Sequence, residues 1–429
     1  MNNIRTRLAP SPTGFLHVGT ARTALFNYLF AKKYNGEFIL RIEDTDLERS
    51  DPVYEKDILE GLGWLGITAD ESPLKGGSYG PYRQSERTEL YKKYIQDLLQ
   101  ENKAFYCFHS EVELKEEKRK LLEAKRPPLH LCKYRNTETA EAEATKEAKN
   151  NYIIRFKTPT GLKIAFQDLI KGELTFDSSL LGDFSIAKDV DVPLYNFAVV
   201  VDDEAMKISH VIRGEDHISN TPKQILLLEA LGFTKPQYAH LPLIFGPDRS
   251  KLSKRHGATS INDYQKDGYL PEALFNFLAL LGWNPGGNEE IFIKEELIKE
   301  FSLEKVQKSG AIFDSKKLDW MNGEYIRKKS LAELTALCIP FLENFLQFSI
   351  SSSQFSKEYI EKIVALEQPR LKKLSEVGEK TDYFFKEPVY DRGLLRWKDM
   401  SEAEITASLE KSEEIIKSKV KSQKSKVEI

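Results

Sequence analysis

Two short segments of this chain combine residue types suited to polyphosphate chemistry. Between residues 10 and 20 the sequence reads Pro10-Ser11-Pro12-Thr13-Gly14 and closes on His17-Val18-Gly19-Thr20. A Pro- and Gly-rich loop ahead of a helix N-terminus can turn backbone N–H groups and an imidazole toward a phosphate chain. Gly19 would let the backbone approach such a ligand closely. Far downstream, Arg249, Lys251, Lys254 and Arg255 surround Leu252 and Ser253. Such a cluster of cations suits a loop that closes over polyphosphate and follows the charge developing there during in-line displacement. Either segment alone has an ordinary reading, as a capped turn holding a bonded histidine or as a solvated basic turn. A third constellation, Cys107-Phe108-His109 with His130-Leu131-Cys132, offers two Cys/His pairs of the kind that make tetrahedral zinc sites. Its ordinary reading is two thiols in small hydrophobic contacts.

The elements around these residues decide whether they can meet. Ile4–Leu8 reads as a strand running into the first segment, and Ala21–Tyr34 has apolar residues at helical spacing before the stop Asn35-Gly36. Phe38–Ile42 is the next strand and leads into Glu43-Asp44-Thr45-Asp46. Strand, loop, helix, strand opens a doubly wound parallel sheet, whose ligands sit beyond the carboxyl ends of the strands. From Glu111 to Asn150 the chain turns charge-rich, with a break at Pro127-Pro128. Tyr152–Phe156 and Leu162–Phe166 read as strands of a separate small unit. Parallel-type strands return at Phe197–Val201 and His210–Arg213, followed by a helix over Pro222–Leu231. The pattern is a nucleotide-binding domain split by an insertion. Helices dominate from Leu270, and the lysine- and serine-rich stretch from Lys417 reads as a solvated or frayed tail.

Composition narrows the class. A chain of 429 residues is too long for one core. Its 63 basic and 66 acidic residues nearly cancel, which argues against indiscriminate coating of nucleic acid but allows a local basic face. Three cysteines cannot build a disulfide framework and suit a reducing cytosol. No apolar stretch follows the charged start and none reaches membrane-spanning length, so a cytoplasmic protein with no membrane contact is expected.

Longer blocks carry a resemblance. Arg7–Tyr28, Arg41–Asp46, Gly80–Arg87, Val211–His217 and Trp320–Arg327 resemble the bacterial glutamyl-tRNA synthetases, and His17–Thr20 and Lys251–Arg255 resemble the two signatures of class I aminoacyl-tRNA synthetases. The likeness runs from the N-terminus to about residue 400. It implies an α/β fold: a Rossmann-type catalytic core with an inserted acceptor-stem domain, then all-α stem-contact and anticodon-binding domains. The expected boundaries are 1–103 and 189–248 for the core halves, 104–188 for the insertion, 249–327 for the stem-contact domain and 328–429 for the anticodon-binding domain.

The activity implied is ATP-dependent formation of glutamyl-adenylate and transfer to tRNA(Glu), with ATP and Mg²⁺ required, tRNA bound before activation, and a monomeric enzyme. By the same resemblance His17, Lys251 and Lys254 are the catalytic residues. Pro10, Ser11, Gly19, Thr20 and Ser253 join them around ATP. Arg7, Ala9, Ser11, Glu43, Tyr195 and Arg213 bind glutamate. The charges agree, since a substrate with two carboxylates and one ammonium needs cations and one anion, and an arginine fork holds a carboxylate bidentately. Val199 stands where some members place an asparagine contact. Arg370, in Gln368-Pro369-Arg370, matches an arginine facing the last anticodon base. Some members hold zinc in the insertion, but His109 and Tyr134 depart from that pattern, so no metal is assigned.

The alternatives are an enzyme that also charges tRNA(Gln), a relative that glutamylates a tRNA base, and a non-catalytic RNA-binding paralogue. The second would end soon after its catalytic core, and the third would lack the histidine and lysines. The matched region fades after Trp397, where a Pro-Leu-Arg-containing segment is expected in the family. A shortened anticodon reader is therefore expected, with apolar surface exposed near Phe384–Trp397.

Overall fold

The computed structural model describes residues 4–46, 48–138, 145–146, 151–253, 255, 260–350, 355–387 and 389–427, the last eight by backbone alone. In chain order it begins β1 (Arg5–Leu8), α1 (Val18–Lys33), β2 (Glu37–Leu40), α2 (Pro52–Trp64), α3 (Thr88–Gln100), β3 (Ala104–Cys107) and α4 (Glu111–Glu123). There follow β4 (Ile153–Phe156), β5 (Lys163–Asp168), β6 (Gly172–Asp177), β7 (Ser185–Asp189) and β8 (Val192–Pro193). Then come α5 (Tyr195–Ala205), β9 (His210–Gly214), α6 (Thr221–Leu231) and β10 (Gln237–Leu241).

The opening unit forms for readable reasons. β1 pairs in parallel with β2, Arg5 opposite Glu37, and α1 makes the crossover between them. The helix is apolar on nearly every side because the core encloses it. It stops where Asn35 takes φ 52° and Gly36 brings the chain back against β1. A Cβ on Gly36 would lie 2.2 Å from the Ile4 carbonyl oxygen, so only glycine fits there. On the other side, β9, β10 and β5 run in parallel, and β6 closes the edge as an antiparallel hairpin with β5. β9 lies beside β1, where the Ser209 N–H donates to the Arg5 carbonyl (3.0 Å).

Three sequence expectations are corrected. Phe197–Val201 is not a strand but the buried interior of α5. A short uninterrupted apolar run fits an enclosed helix and an enclosed strand equally well. Leu162–Phe166 does not belong to a separate unit: β5 returns to the core sheet, pairing Asp168 with Tyr238 of β10. The small antiparallel sheet is β3-β4-β7-β8, while β5 and β6 belong to the sheet of β9 and β10. The chain from Lys417 continues a helix, Glu402–Val427, and does not fray. Its solvation is as expected, with Ile405 the one buried residue among 402–419.

Beyond the core the chain is mainly helical, with Ser315–Lys328 packed on Pro271–Leu280 and Leu331–Leu346 packed on Lys357–Glu367. Tyr383, Val389, Tyr390, Leu394 and Trp397 are exposed, as the sequence leads one to expect of this segment. Among the described residues no helix is long and apolar enough to cross a membrane.

Candidate active site

β1 has β2 on one side and β9 on the other, so the chain turns from one flank to the other between β1 and β9, the place where doubly wound folds bind ligands. A cleft of about 1180 Å³ opens there, between the loop after β1 and the carboxyl end of β9. Its lining contains Arg7, Ala9, Pro10, Ser11, His17, Gly19, Thr20, Glu43, Tyr195, Arg213, Lys251 and Ser253. Every expected cleft residue is thus brought together except Lys254, which lies outside the described residues. Arg370 sits apart, exposed after the helix Lys357–Glu367 and paired with Glu367.

His17 is the N-cap of α1. Its Nδ1 accepts from the backbone N–H of Gly19 (3.1 Å) and Thr20 (3.3 Å). Both donors are fixed amides, so Nδ1 is unprotonated and the ring proton sits on Nε2, 3.0 Å from the Thr20 hydroxyl. Although the ring is open to cleft water, crowding by the cleft walls lowers its pKa, with the Lys251 cation adding to the effect. A neutral donor therefore faces the cleft beside the positive end of a helix. A Cβ on Gly19 would stand 3.1 Å from the ring, which explains why glycine follows the histidine at this spacing. The loop is stitched down by the Leu16 N–H donating to Asp57 (2.6 Å) and by a bridge between His17 and Ser260.

A buried ionic network fixes the opposite wall. Arg41, wholly buried, donates to Asp203 (2.8 Å) and Glu43 (3.1 Å) and lies 3.6 Å from Asp202. Arg7 donates through Nε to Asp203 (3.2 Å), and Arg87 to Asp202 (2.6 Å). Burial raises the Glu43 pKa despite Arg41 and Arg7, so this carboxylate holds its proton to higher pH than usual. Arg213 donates through Nη2 to Thr221 (2.9 Å) and through Nε to His240 (3.2 Å), while its buried Nη1 has no hydrogen-bond partner among the described residues. The Tyr195 hydroxyl meets His217 Nδ1 at 2.9 Å. Burial, then the Arg213 cation, push the His217 pKa down to about 4. Val199 is buried within α5 and adds no polar group to the cleft.

Sequence reasoning overlooked His217, Asn220 and Arg22, which also line the cleft. His217 ends the Val211–His217 block, so that signal was available. Arg22 faces inward from α1 and donates to the Leu281 and Pro242 carbonyls, a role that no local pattern announces.

The Cys/His constellation is assembled too. One ligand atom from each of Cys107, His109, His130 and Cys132 lies within 4.8 Å of the others, more than two thiols in hydrophobic contact require. Cys107 Sγ is 3.5 Å from His109 Nδ1 and 3.5 Å from His130 Nε2, and Cys132 Sγ is 3.6 Å from His109 Nδ1. Zn–S bonds of about 2.3 Å and Zn–N bonds of about 2.0 Å at tetrahedral angles set S···N edges of about 3.5 Å, so the set fits zinc. Glu117 of α4 bonds the remaining nitrogen of His130, the partner such a ligand ordinarily has. Tyr134 packs edge-on against His109 instead of joining the set.

Comparison with known proteins finds close likenesses over most of the chain. The family model for the catalytic domain of class I tRNA synthetases (E and Q) matches residues 3–320, and one for an anticodon binding domain matches 333–427. The second match runs through the tail, so the likeness does not fade at Trp397. A glutamate–tRNA ligase of Carboxydothermus hydrogenoformans is 52% identical over 382 residues, covering 89% of this chain and 80% of that protein. Another, from Caldicellulosiruptor saccharolyticus, is 51% identical over 90% of this chain and 80% of its own length. A crystal structure of a glutamate tRNA ligase from Elizabethkingia meningosepticum, in complex with its amino acid, superposes with a TM-score of 0.85 at 37% identity. That match covers 96% of this chain and 85% of the other.

Proposed function

Because the chain belongs to the glutamate–tRNA ligases of the class I synthetases, we propose a division of labour within its cleft. His17, Gly19, Thr20, Lys251, Ser253 and Lys254 receive ATP, together with Pro10 and Ser11. Arg7, Ala9, Glu43, Tyr195 and Arg213 receive glutamate, with Ser11 lining both subsites. An α-carboxylate oxygen of glutamate attacks the α-phosphorus of ATP, and pyrophosphate leaves. A 3′-terminal hydroxyl of tRNA then attacks the acyl carbon, and AMP leaves. Side chains form no covalent bond in either step; they position the reactants and stabilise charge. Mg²⁺ bound with the nucleotide would neutralise phosphate charge.

The observation that carries the glutamate subsite is Arg213 Nη1, a buried cationic nitrogen with no partner among the described residues, in a side chain lining the cleft. Such a donor costs stability unless a ligand oxygen meets it. The experiment is tRNA-dependent ATP–pyrophosphate exchange on Arg213→Ala and Arg7→Ala. Both should raise KM for glutamate far more than KM for ATP. Equal effects on the two substrates would point to damaged folding and refute the assignment. Arg370, outside the cleft lining, faces the last anticodon base.

Cys107, His109, His130 and Cys132 form a structural zinc site, supported by the match of their separations to tetrahedral edges. No residue of α4 is buried, so this helix has little apolar anchorage of its own. Zinc held there would pin the segment around His130 and Cys132 to β3. One equivalent of zinc per chain is expected, lost in Cys107→Ser with a rise in proteolysis near α4. A metal-free wild type that resists proteolysis equally well would remove the site.

A further inference from the structure

Behind Arg213 lies a buried pair that the chemistry above does not use. Asp168, at the end of β5, and His240, on β10, both have fully buried side chains. Asp168 accepts from the backbone N–H groups of Ile170 (2.9 Å), Lys171 (2.8 Å) and His240 (3.1 Å), and from His240 Nδ1 (2.6 Å). An ionised carboxylate only accepts, so Nδ1 carries the proton. Burial lowers the imidazole pKa, the ring is neutral, and Nε2 is left with a lone pair. That lone pair meets the Nε–H of Arg213 (3.2 Å). Thr221 completes the seat: its hydroxyl oxygen accepts from Arg213 Nη2 (2.9 Å) and lies 3.1 Å from His240 Nε2. Two of the three guanidinium nitrogens are thereby held, and Nη1 is the one left over.

We propose that Asp168 and His240 are positioning residues for glutamate recognition: the carboxylate fixes the imidazole tautomer, and the imidazole, with Thr221, fixes the guanidinium so that Nη1 is presented to a substrate carboxylate. The alternative tautomer would set Nε2–H against Arg213 Nε–H, donor to donor, and drive the guanidinium from its seat. Asp168, on a strand that rejoins the core sheet, thus reaches the substrate through two intervening side chains, His240 and Arg213. This inference rests on Arg213 as the carboxylate ligand.

Two substitutions at one position separate positioning from mere packing. In His240→Asn the side-chain amide stands near the former Nδ1, keeping a donor for Asp168 and leaving Arg213 without its acceptor. In His240→Gln the amide oxygen can stand near the former Nε2, keeping the acceptor for Arg213. Steady-state pyrophosphate exchange with tRNA present should show KM for glutamate raised about tenfold or more in His240→Asn, with KM for ATP and kcat within about twofold. His240→Gln should stay within about threefold of wild type for glutamate. If the site matters only through its bond to Asp168, the order reverses, and that result overturns the proposal, as does a parallel rise in both KM values. Nitrogen-15 spectra of histidine-labelled wild-type enzyme supply a test that needs no variant: His240 should be the Nδ1–H tautomer, and an Nε2–H tautomer overturns the proposal. Arg213→Ala serves as the control. If it leaves glutamate KM unchanged, the substrate assignment fails. If it raises KM while both His240 variants behave as wild type, the positioning role alone fails.

Discussion

Replacing Glu43 with glutamine tests the charge logic of the glutamate subsite. The substitution keeps the side chain's shape and an oxygen able to accept the Arg41 hydrogen bond (3.1 Å). It removes one negative charge from a network in which Arg7, Arg41 and Arg87 face Glu43, Asp202 and Asp203. The variant site is left with a cation in excess, and the substrate ammonium loses its anionic partner. A hydrogen bond to a charged group contributes about 1.5–3 kcal/mol, so kcat/KM for glutamate should fall roughly tenfold to 150-fold. The carboxylate ligands are untouched, so glutarate, which lacks the amino group, should inhibit the variant at least as well as wild type. The assay is pyrophosphate exchange in the presence of tRNA, with glutamate varied and glutarate as competitor. Unchanged kcat/KM, or equal weakening of glutamate and glutarate, would refute the assignment of the ammonium to Glu43. The sign of the pH effect follows. Glu43 must be ionised to take the ammonium, and burial raises its pKa, so the acid-side loss of kcat/KM should begin above the ordinary carboxylate range. Glu43→Gln should lack that contribution.

Lys254→Ala should slow adenylate formation by about a hundredfold or more while leaving tRNA binding largely intact, because one cation aimed at developing phosphate charge is lost; unchanged exchange rates would remove Lys254 from the mechanism. Gly19→Ala should raise KM for ATP about tenfold and leave KM for glutamate nearly unchanged, since the added Cβ meets the His17 ring at 3.1 Å and displaces the phosphate-facing imidazole. Equal kinetics in that variant would show that the ring position is not critical. Arg370→Ala should weaken charging of whole tRNA by roughly 1–3 kcal/mol, and this penalty should vanish on a transcript altered at the last anticodon base. A penalty on both transcripts alike would place Arg370 outside base recognition.

The phosphate-side residues were legible in local chemistry, and Arg7, Ala9, Glu43, Tyr195 and Arg213 through the family resemblance. The loop of residues 10–20 carries its own turn residues, its cap and the glycine that the histidine needs. Arg7 and Arg213 sit on short strands, and Glu43 stands three residues past the end of β2, so parallel pairing brings all three to one end of the sheet. What stayed hidden depends on burial and on pairs distant in sequence. Nothing near Asp168 marks it as a partner of His240, since only the return of β5 to the core sheet brings them together. Arg41 lies in a recognisable block, but Asp202 and Asp203 lie in none, and their mutual neutralisation shows only once α5 is a helix that turns both aspartates inward; the apolar run before them suggested a strand. The Cys/His pairs present the opposite case. Compared with a ligand pattern they looked incomplete, because a pattern records which residue type stands at each position and not which atom reaches the centre. His109 offers Nδ1 and His130 offers Nε2, and these two reaches bring imidazoles from opposite segments up to the sulfurs of Cys107 and Cys132. The same reasoning governs Arg213: its identity was readable from the sequence, but the nitrogen it offers to substrate is decided by a tautomer fixed two side chains away.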